Sequence, residues 1–137
     1  MAILKGIVEA DMSQVQVVWK DFPSPLVPGA RKSAVAARCA QSQGKFWDYH
    51  DSLADLAELN AEIYGIIAEE LGLDVEEIND CMQGSEAVEL VNDGFEQAQA
   101  LEIYQVPTIF VGKYRLLGDI EEEKVQKLID TLNNVKF

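Results

Sequence analysis

The feature that most constrains the fold of this chain is the stretch 105–112, in which a β-branched residue and a proline precede a short apolar run. Thr108–Val111 is rich in β-branched and aromatic side chains, as strands are, and Gly112-Lys113 is a turn pair. A second apolar run, Tyr114–Leu117, follows at once, so we predict a β-hairpin. Because Pro107 cannot donate a backbone hydrogen bond, it is expected at the first position of the hairpin or just before it.

Five helical segments separate this hairpin from an earlier alternating and β-branched run, 14–20, which we predict to be the first strand. A short helix is predicted before that strand, at 3–8, and a final helix follows Asp119. The five helices predicted between the strands are 30–43, 46–59, 60–71, 75–83 and 85–101, with Asn60 and Asp74 as helix caps. Strands separated by helices indicate the α/β class, here with a large helical insertion after the first strand.

The balance of acidic and basic residues excludes some classes of binding partner. Acidic residues outnumber basic ones by 24 to 11, which gives a formal net charge of −13. Such a surface repels phosphate backbones and anionic lipids, so we expect neither nucleic acid nor a membrane as a partner. No apolar run approaches the length of a membrane span, and the N-terminus does not resemble a signal peptide. On these grounds we expect one domain of 137 residues in the cytoplasm.

The motifs, taken in order, resemble the DsbA-like branch of the thioredoxin superfamily. The residues that carry the resemblance are V-V-W-K-D-F-P at 17–23, A-V-A-A-R-C at 34–39, Q-G-K-F-W-D-Y-H-D at 43–51, L-G-L-D at 71–74 and V-P-T-I-F-V-G at 106–112. It extends from about residue 3 to residue 132, which is nearly the whole chain. The fold that it implies is a thioredoxin-like core with an inserted α-helical subdomain at about 30–84, in a single domain over 1–137.

The resemblance also implies a site. In that family the proline that matches Pro107 is cis and faces the catalytic cysteines. The residue that matches Val106 tunes cysteine reactivity and helps to hold the substrate backbone. We therefore expect Val106, Pro107 and Thr108 to contact substrate, which would be a polypeptide, and we expect no cofactor and no metal.

The chain departs from the family pattern at its start. The family places a central strand and a C-x-x-C motif before the segment that matches Ile3, and the helix dipole there lowers the pKa of the first cysteine. These 137 residues contain no C-x-x-C. We therefore expect an incomplete or degenerate DsbA-family domain without catalytic residues, which is inactive in thiol-disulfide exchange. The alternative is a non-catalytic peptide-binding or assembly module. A glutathione-dependent relative of the kappa-transferase type fits less well, because no serine or cysteine is available at the missing helix start.

The remaining candidate residues favour structural roles. Cys39 and Cys81 lie 42 positions apart inside predicted helices, away from the electropositive helix starts that activate thiols. They are either a structural disulfide, which the resemblance makes plausible, or two buried free thiols, which a cytosolic location favours. His50 is the sole histidine and has no partners with metal-ligand spacing. Trp19 and Trp47 are expected to anchor the core.

The missing central strand predicts an unfinished sheet. The family places that strand between 15–20 and 108–111, and buried backbone groups left unpaired cost about 1–3 kcal/mol each. A folded chain must then pair the two strands directly, straighten 2–8 into the gap, or recruit a second copy. Because edge strands invite pairing between identical chains, we predict a homodimer whose interface involves the first strand or the N-terminal segment.

Overall fold

The computed structural model describes residues 2–10, 15–56 and 59–134. Its elements, in chain order, are α1 (Ala2–Ala10), α2 (Ala30–Ser42), α3 (Phe46–Ala54), α4 (Ile63–Glu70), α5 (Val75–Gln83), α6 (Glu86–Ala100), β1 (Thr108–Val111), β2 (Tyr114–Leu117) and α7 (Glu122–Asn133). They form two compact units. The helical unit, Lys20–Ala100, holds α2–α6, and the hairpin unit, Met1–Trp19 with Leu101–Phe137, holds α1, both strands and α7. That the whole chain acts as one domain stays a prediction.

The hairpin is confirmed in position and register. β1 and β2 are antiparallel, with Thr108 opposite Leu117 and Val111 opposite Tyr114. The connection is the two-residue turn predicted from Gly112-Lys113, and Gly112 has a φ of 56°. Positive φ values are what two-residue hairpin turns require, and glycine adopts them without steric cost. The local sequence is therefore sufficient to define this element.

One face of the hairpin forms the core of its unit. Val111 and Leu116 are buried and pack with Ile7 of α1 and with two residues of α7, Val125 and Ile129. The partly buried residues packed against this cluster are Val15, Ile109, Ile120 and Leu128. The opposite face of the hairpin carries Phe110 and Leu117, which are about half exposed.

The predicted first strand is wrong for the described residues. Residues 15–20 form no β-ladder, and Gln14 lies outside the described part. Burial does alternate, with Val15, Val17 and Trp19 partly buried and their neighbours exposed. Local alternation sets which side chains point inward, but a strand also needs a partner backbone. The backbone groups of 15–18 make no hydrogen bond in the described part of the chain, although Val15 packs on the same core as β1.

Two of the three routes for completing the sheet are therefore not taken. Residues 15–20 do not pair with β1, and 2–8 does not straighten, because α1 is helical over Ala2–Ala10. The homodimer stays a prediction. Its predicted interface stays the first strand or the N-terminal segment, and the backbone groups of 15–18 would be available to it.

The helical unit is organised on α2, which packs against α3, α5 and α6. Cys39 of α2 and Cys81 of α5 form a disulfide, which decides between the two alternatives left open by the sequence. Helix α5 is capped as predicted, since Asp74 Oδ1 accepts from the Glu77 N–H at 3.0 Å. Helix α4 begins later than predicted, at Ile63, and Glu62 rather than Asn60 stands at its N-cap position, although Asn60 Oδ1 accepts from the Ile63 N–H at 3.0 Å.

Other details differ from expectation. Helix α3 ends at Ala54 rather than near Leu59, whose side chain instead packs against Gly29 in the loop before α2. Trp47 is 41% exposed and does not anchor the core. The final helix, α7, begins after Glu121, and the Glu121 side chain does not cap it.

A buried ion pair ties the segment before α2 to the helices. Asp21 is 3% exposed, and its Oδ2 accepts from Arg38 Nε at 2.6 Å. Gly94 of α6 lies directly against the backbone of Asp21. Elsewhere in the unit the Tyr49 hydroxyl donates to the Tyr64 carbonyl at 2.7 Å, and burial raises the pKa of Tyr49 well above its usual range, so this hydroxyl stays protonated.

Candidate functional site

The three residues that the sequence assigns to substrate binding lie together at the start of β1. The Val106–Pro107 peptide bond is cis. Val106 is 56% exposed, Pro107 is exposed, and Thr108 is partly buried. The arrangement presents the Val106 side chain at the surface, beside the first residue of the strand.

Hydrogen bonds hold this loop at both ends. The Thr108 hydroxyl donates to the Gln105 carbonyl at 2.6 Å, and the Gly118 N–H donates to the Pro107 carbonyl at 3.1 Å. The Gln105 side-chain nitrogen lies 2.9 Å from the point where a Cβ on Gly118 would stand, and Gly118 has a φ of 70°. Glycine is favoured at 118 because of its backbone angle, whereas the Gln105 amide is the end of a flexible side chain that can move away from an added Cβ.

The outer edge of β1 is open. In an antiparallel pair, opposite residues alternate between those that exchange backbone hydrogen bonds and those that do not. Val111 and Tyr114 flank the two-residue turn and form an exchanging pair, as do Ile109 and Leu116 two residues further along. The N–H and C=O groups of Thr108 and Phe110 therefore point away from β2. In the described part of the chain the sheet has no third strand to meet them.

Exposed apolar side chains lie on the hairpin and on the segment that precedes it, and we call them the hairpin surface. Its members are Leu101, Tyr104, Val106, Phe110 and Leu117, each between 46% and 85% exposed. Surface residues that are apolar and contiguous in a structural element mark interaction sites more often than scattered ones do. The segment 103–118 contains no acidic residue, although the chain as a whole is strongly acidic.

Arg115 is a basic residue at this surface, and no sequence motif identifies it. The Arg115 guanidinium lies over the Phe110 ring, 5.2 Å from its centroid, and donates to the Leu101 carbonyl. Arg115 stands opposite Phe110 in the ladder. The predicted turn at 112–113 already implies this register, so pairing the residues across the hairpin would have shown the contact.

The cysteines offer no reactive group. The chain has two cysteines, and both are used in the Cys39–Cys81 bond, with Cys39 only 1% exposed. His50 lies 3.1 Å from the Asp51 carboxylate and stacks on Phe46, which fits the structural role predicted for it. Among the described residues no group of three or more histidine, cysteine or acidic side chains could hold a metal ion.

Comparison with solved structures shows what this arrangement is similar to. The chain has 28% identity and a TM-score of 0.86 to a thioredoxin-like oxidoreductase from Silicibacter pomeroyi DSS-3, over 99% of this chain and 78% of that one. The fold also matches the thiol-disulfide exchange protein alpha-DsbA2 from Wolbachia pipientis, with 19% identity and a TM-score of 0.85 over 96% of this chain and 72% of the other.

Similar sequences also occur within larger proteins. The chain is 29% identical over 122 residues to the Na(+)/H(+) antiporter NhaA 1 of Salinispora arenicola, which covers 87% of this chain and 19% of that protein. It is 32% identical over 108 residues to NhaA 1 of Mycolicibacterium vanbaalenii, which covers 74% of this chain and 17% of that protein. The chain thus spans less than a fifth of the length of these relatives. None of its described helices has the length and apolar character needed to cross a membrane.

A family model described as thioredoxin matches residues 1–131. The match includes the hairpin, the loop that precedes it and the whole helical unit. Together with the structural likeness, it confirms the resemblance drawn from the motifs. The chain belongs to the thioredoxin family and has a DsbA-like form of the thioredoxin fold.

Proposed function

We propose that this chain is a thioredoxin-family domain that binds an extended segment of another polypeptide, and that its own cysteines carry out no thiol-disulfide exchange. The observation that carries the proposal is the open edge of β1 beside the exposed Val106 and Phe110. An extended peptide can add a strand to such an edge. Main-chain hydrogen bonds then supply affinity, and alternate side chains supply specificity.

The geometry of the loop supports this mode of binding. Thr108 and Phe110 direct their backbone groups outward, and the hydrogen bonds of Thr108 and Gly118 hold the loop in one conformation. A surface that is already ordered loses little conformational freedom when it binds a ligand. The exposed side chains of Tyr104 and Val106 then provide apolar contacts at one end of the added strand.

Exchange by this chain's own residues is disfavoured on chemical grounds. Thiol-disulfide exchange begins with attack by an accessible thiolate and passes through a mixed disulfide. The Wolbachia protein, which has a similar fold, is named for that exchange. The 137 residues of this chain contain no C-x-x-C, and their two cysteine sulfur atoms are bonded to each other. The function of the chain therefore rests on the binding surface.

Binding is tested with a fluorescein-labelled apolar peptide, acetylated and amidated at its ends, by fluorescence anisotropy. We expect Val106→Asp to weaken binding about tenfold, because it places a charge on the apolar contact. Ile66→Asp is the matched control, since Ile66 is 46% exposed on the helical unit, and it should leave the affinity unchanged. A peptide N-methylated at every amide should fail to bind, because neither of its edges can donate to the ladder. Equal affinity of the two variants, or binding of the methylated peptide, would contradict the proposal.

Activity is tested by the turbidity of insulin reduced with dithiothreitol. We expect the chain to leave the rate of precipitation at its value without protein, because the thiols that dithiothreitol releases at 39 and 81 form no C-x-x-C pair and Cys39 is only 1% exposed. The Cys39→Ala/Cys81→Ala variant should give the same rate as the unmodified chain. Acceleration that disappears in the double variant would show that these cysteines do exchange.

A further inference from the structure

Arg115 has no acidic partner among the described residues of a chain that is rich in acidic ones. In that part of the chain, the basic side chains within 4.0 Å of a carboxylate oxygen are Arg38, Lys45, His50 and Lys127. Acidic residues outnumber basic ones by 24 to 11, so a guanidinium without a carboxylate is not explained by a shortage of acids. Within 101–118 the one acidic residue is Glu102, and it does not pair with Arg115.

The guanidinium is nevertheless held in place. One of its N–H groups donates to the Leu101 carbonyl, and its Cζ lies over the Phe110 ring, 5.2 Å from the centroid. A guanidinium has five N–H donors in a planar fork that matches a carboxylate. Most of these donors remain available to a ligand. The ordering of the side chain means that little rotamer freedom is lost when a ligand binds.

The position of Arg115 relates it to the open edge. Arg115 lies on β2, but the Phe110 ring beneath its guanidinium belongs to β1, the strand with the free edge. The side chain therefore extends from β2 across β1, towards the place where an added strand would lie. In such a ladder, the residue of the added strand opposite Phe110 would place its side chain on the same face of the sheet as Phe110 and Arg115. Neighbouring strands are about 4.8 Å apart. The Arg115 side chain and a carboxylate side chain on the added strand are together long enough to meet above β1.

We propose that Arg115 selects acidic segments, so that the bound strand carries a glutamate or aspartate opposite Phe110, between apolar residues. The inference rests on the proposed function, and it specifies the class of polypeptide that the same site takes. Residues two positions on either side of that acid would share its face of the sheet, on which Phe110 is 46% exposed. Lys113 adds a second positive charge in the same hairpin. The net charge of −13 opposes such a ligand only weakly at contact, because salt screens charges beyond about 8 Å.

The test compares three peptides of alternating apolar sequence that differ only in a central Glu, Gln or Lys. All are acetylated, amidated and labelled with the same fluorophore, so the central side chain is the only difference in charge between them and no terminal carboxylate competes. Affinities are measured by fluorescence anisotropy at about 0.15 M salt, the physiological ionic strength. For the unmodified chain we expect the Glu peptide to bind about fivefold more tightly than the Lys peptide, as an exposed ion pair allows.

Arg115→Glu should reverse that order, and Arg115→Gln should remove it. Lys5→Glu is the matched control, because it makes the same change of charge elsewhere in the hairpin unit and should keep the original order. Equal binding of the three peptides to the unmodified chain, or an unchanged order in Arg115→Glu, would overturn the inference while leaving the proposed function intact. Failure of all three to bind the unmodified chain would overturn both. If Arg115→Glu does not fold, the order measured with Arg115→Gln decides.

Discussion

Replacing Gly94 with alanine is expected to lower the free energy of unfolding by about 3 kcal/mol, at the upper end for an added methyl group in a packed interior. A Cβ at this position of α6 would lie 2.7 Å from the carbonyl oxygen of Asp21 and 2.8 Å from its nitrogen. Both atoms belong to the backbone, so no side-chain rotation can relieve the contact. The ion pair with Arg38 also restrains Asp21 from moving away.

Urea unfolding followed by far-ultraviolet circular dichroism measures this effect. Gly65→Ala is the matched control. Gly65 also lies within a helix, but the nearest atom to its added Cβ is Val75 Cγ1 at 3.8 Å, which is an ordinary contact. There the helix preference of alanine should raise stability by up to about 1 kcal/mol. If the two variants changed the midpoint in the same direction, close packing of α6 on Asp21 would not be the reason for glycine at 94.

Removing the disulfide is expected to have a comparable effect. Cys39→Ala/Cys81→Ala should lower the free energy of unfolding by about 2–5 kcal/mol, because the bond closes a long loop in the unfolded chain. The two cysteines are 42 residues apart. Urea unfolding of the unmodified chain and the double variant, each without reductant, gives the difference.

Reduction provides the control for that measurement. Dithiothreitol should bring the unfolding midpoint of the unmodified chain close to that of the double variant, and it should leave the double variant where it was. If the reductant shifted both proteins equally, the stabilisation would not come from the Cys39–Cys81 bond. Because cytosolic thiols are kept reduced, the bond would persist only in an oxidising compartment.

The features that the sequence predicted correctly depend on neighbouring residues. The hairpin follows from its turn, where Gly112 supplies the positive φ that the two-residue connection requires. Helix α5 follows from Asp74, whose side chain reaches the N–H three residues later. Helix α2 ends where Gly44, with a φ of 74°, was expected to stop it. Such signals act within a few residues and do not depend on the rest of the fold.

The features that were missed depend on distant parts of the chain. Residues 15–20 have the composition and alternation of a strand, but a ladder forms only when another backbone is in register. Ile66 lies in the apolar α4 but is 46% exposed, because the packing of neighbouring helices decides which part of an apolar helix is covered. The cysteine pair was left undecided for the same reason, since it depends on how α2 meets α5.

The residues of the candidate site also separate into those that a sequence motif identifies and those that depend on distant parts of the chain. Val106, Pro107 and Thr108 were taken from a resemblance of motifs, and the structure places them at an exposed loop beside an open strand edge. Arg115 has no motif, because its contribution comes from the residue across the ladder and from a carbonyl 14 positions earlier in the chain. Only a fixed register relates it to Phe110. Its lack of a carboxylate partner among the described residues becomes visible only when side-chain distances are known.

The bond between α2 and α5 also determines how the chain would respond to a mechanical pull on its two ends. Force applied at the termini passes directly from Cys39 to Cys81, so the intervening residues, which include α3 and α4, carry no tension. They would be bypassed even after every other element had been drawn out. Each residue between the two cysteines would add about 3.3–3.6 Å to a fully extended chain, so the disulfide shortens that chain by about 140 Å. Reduction would release this hidden length in a single step.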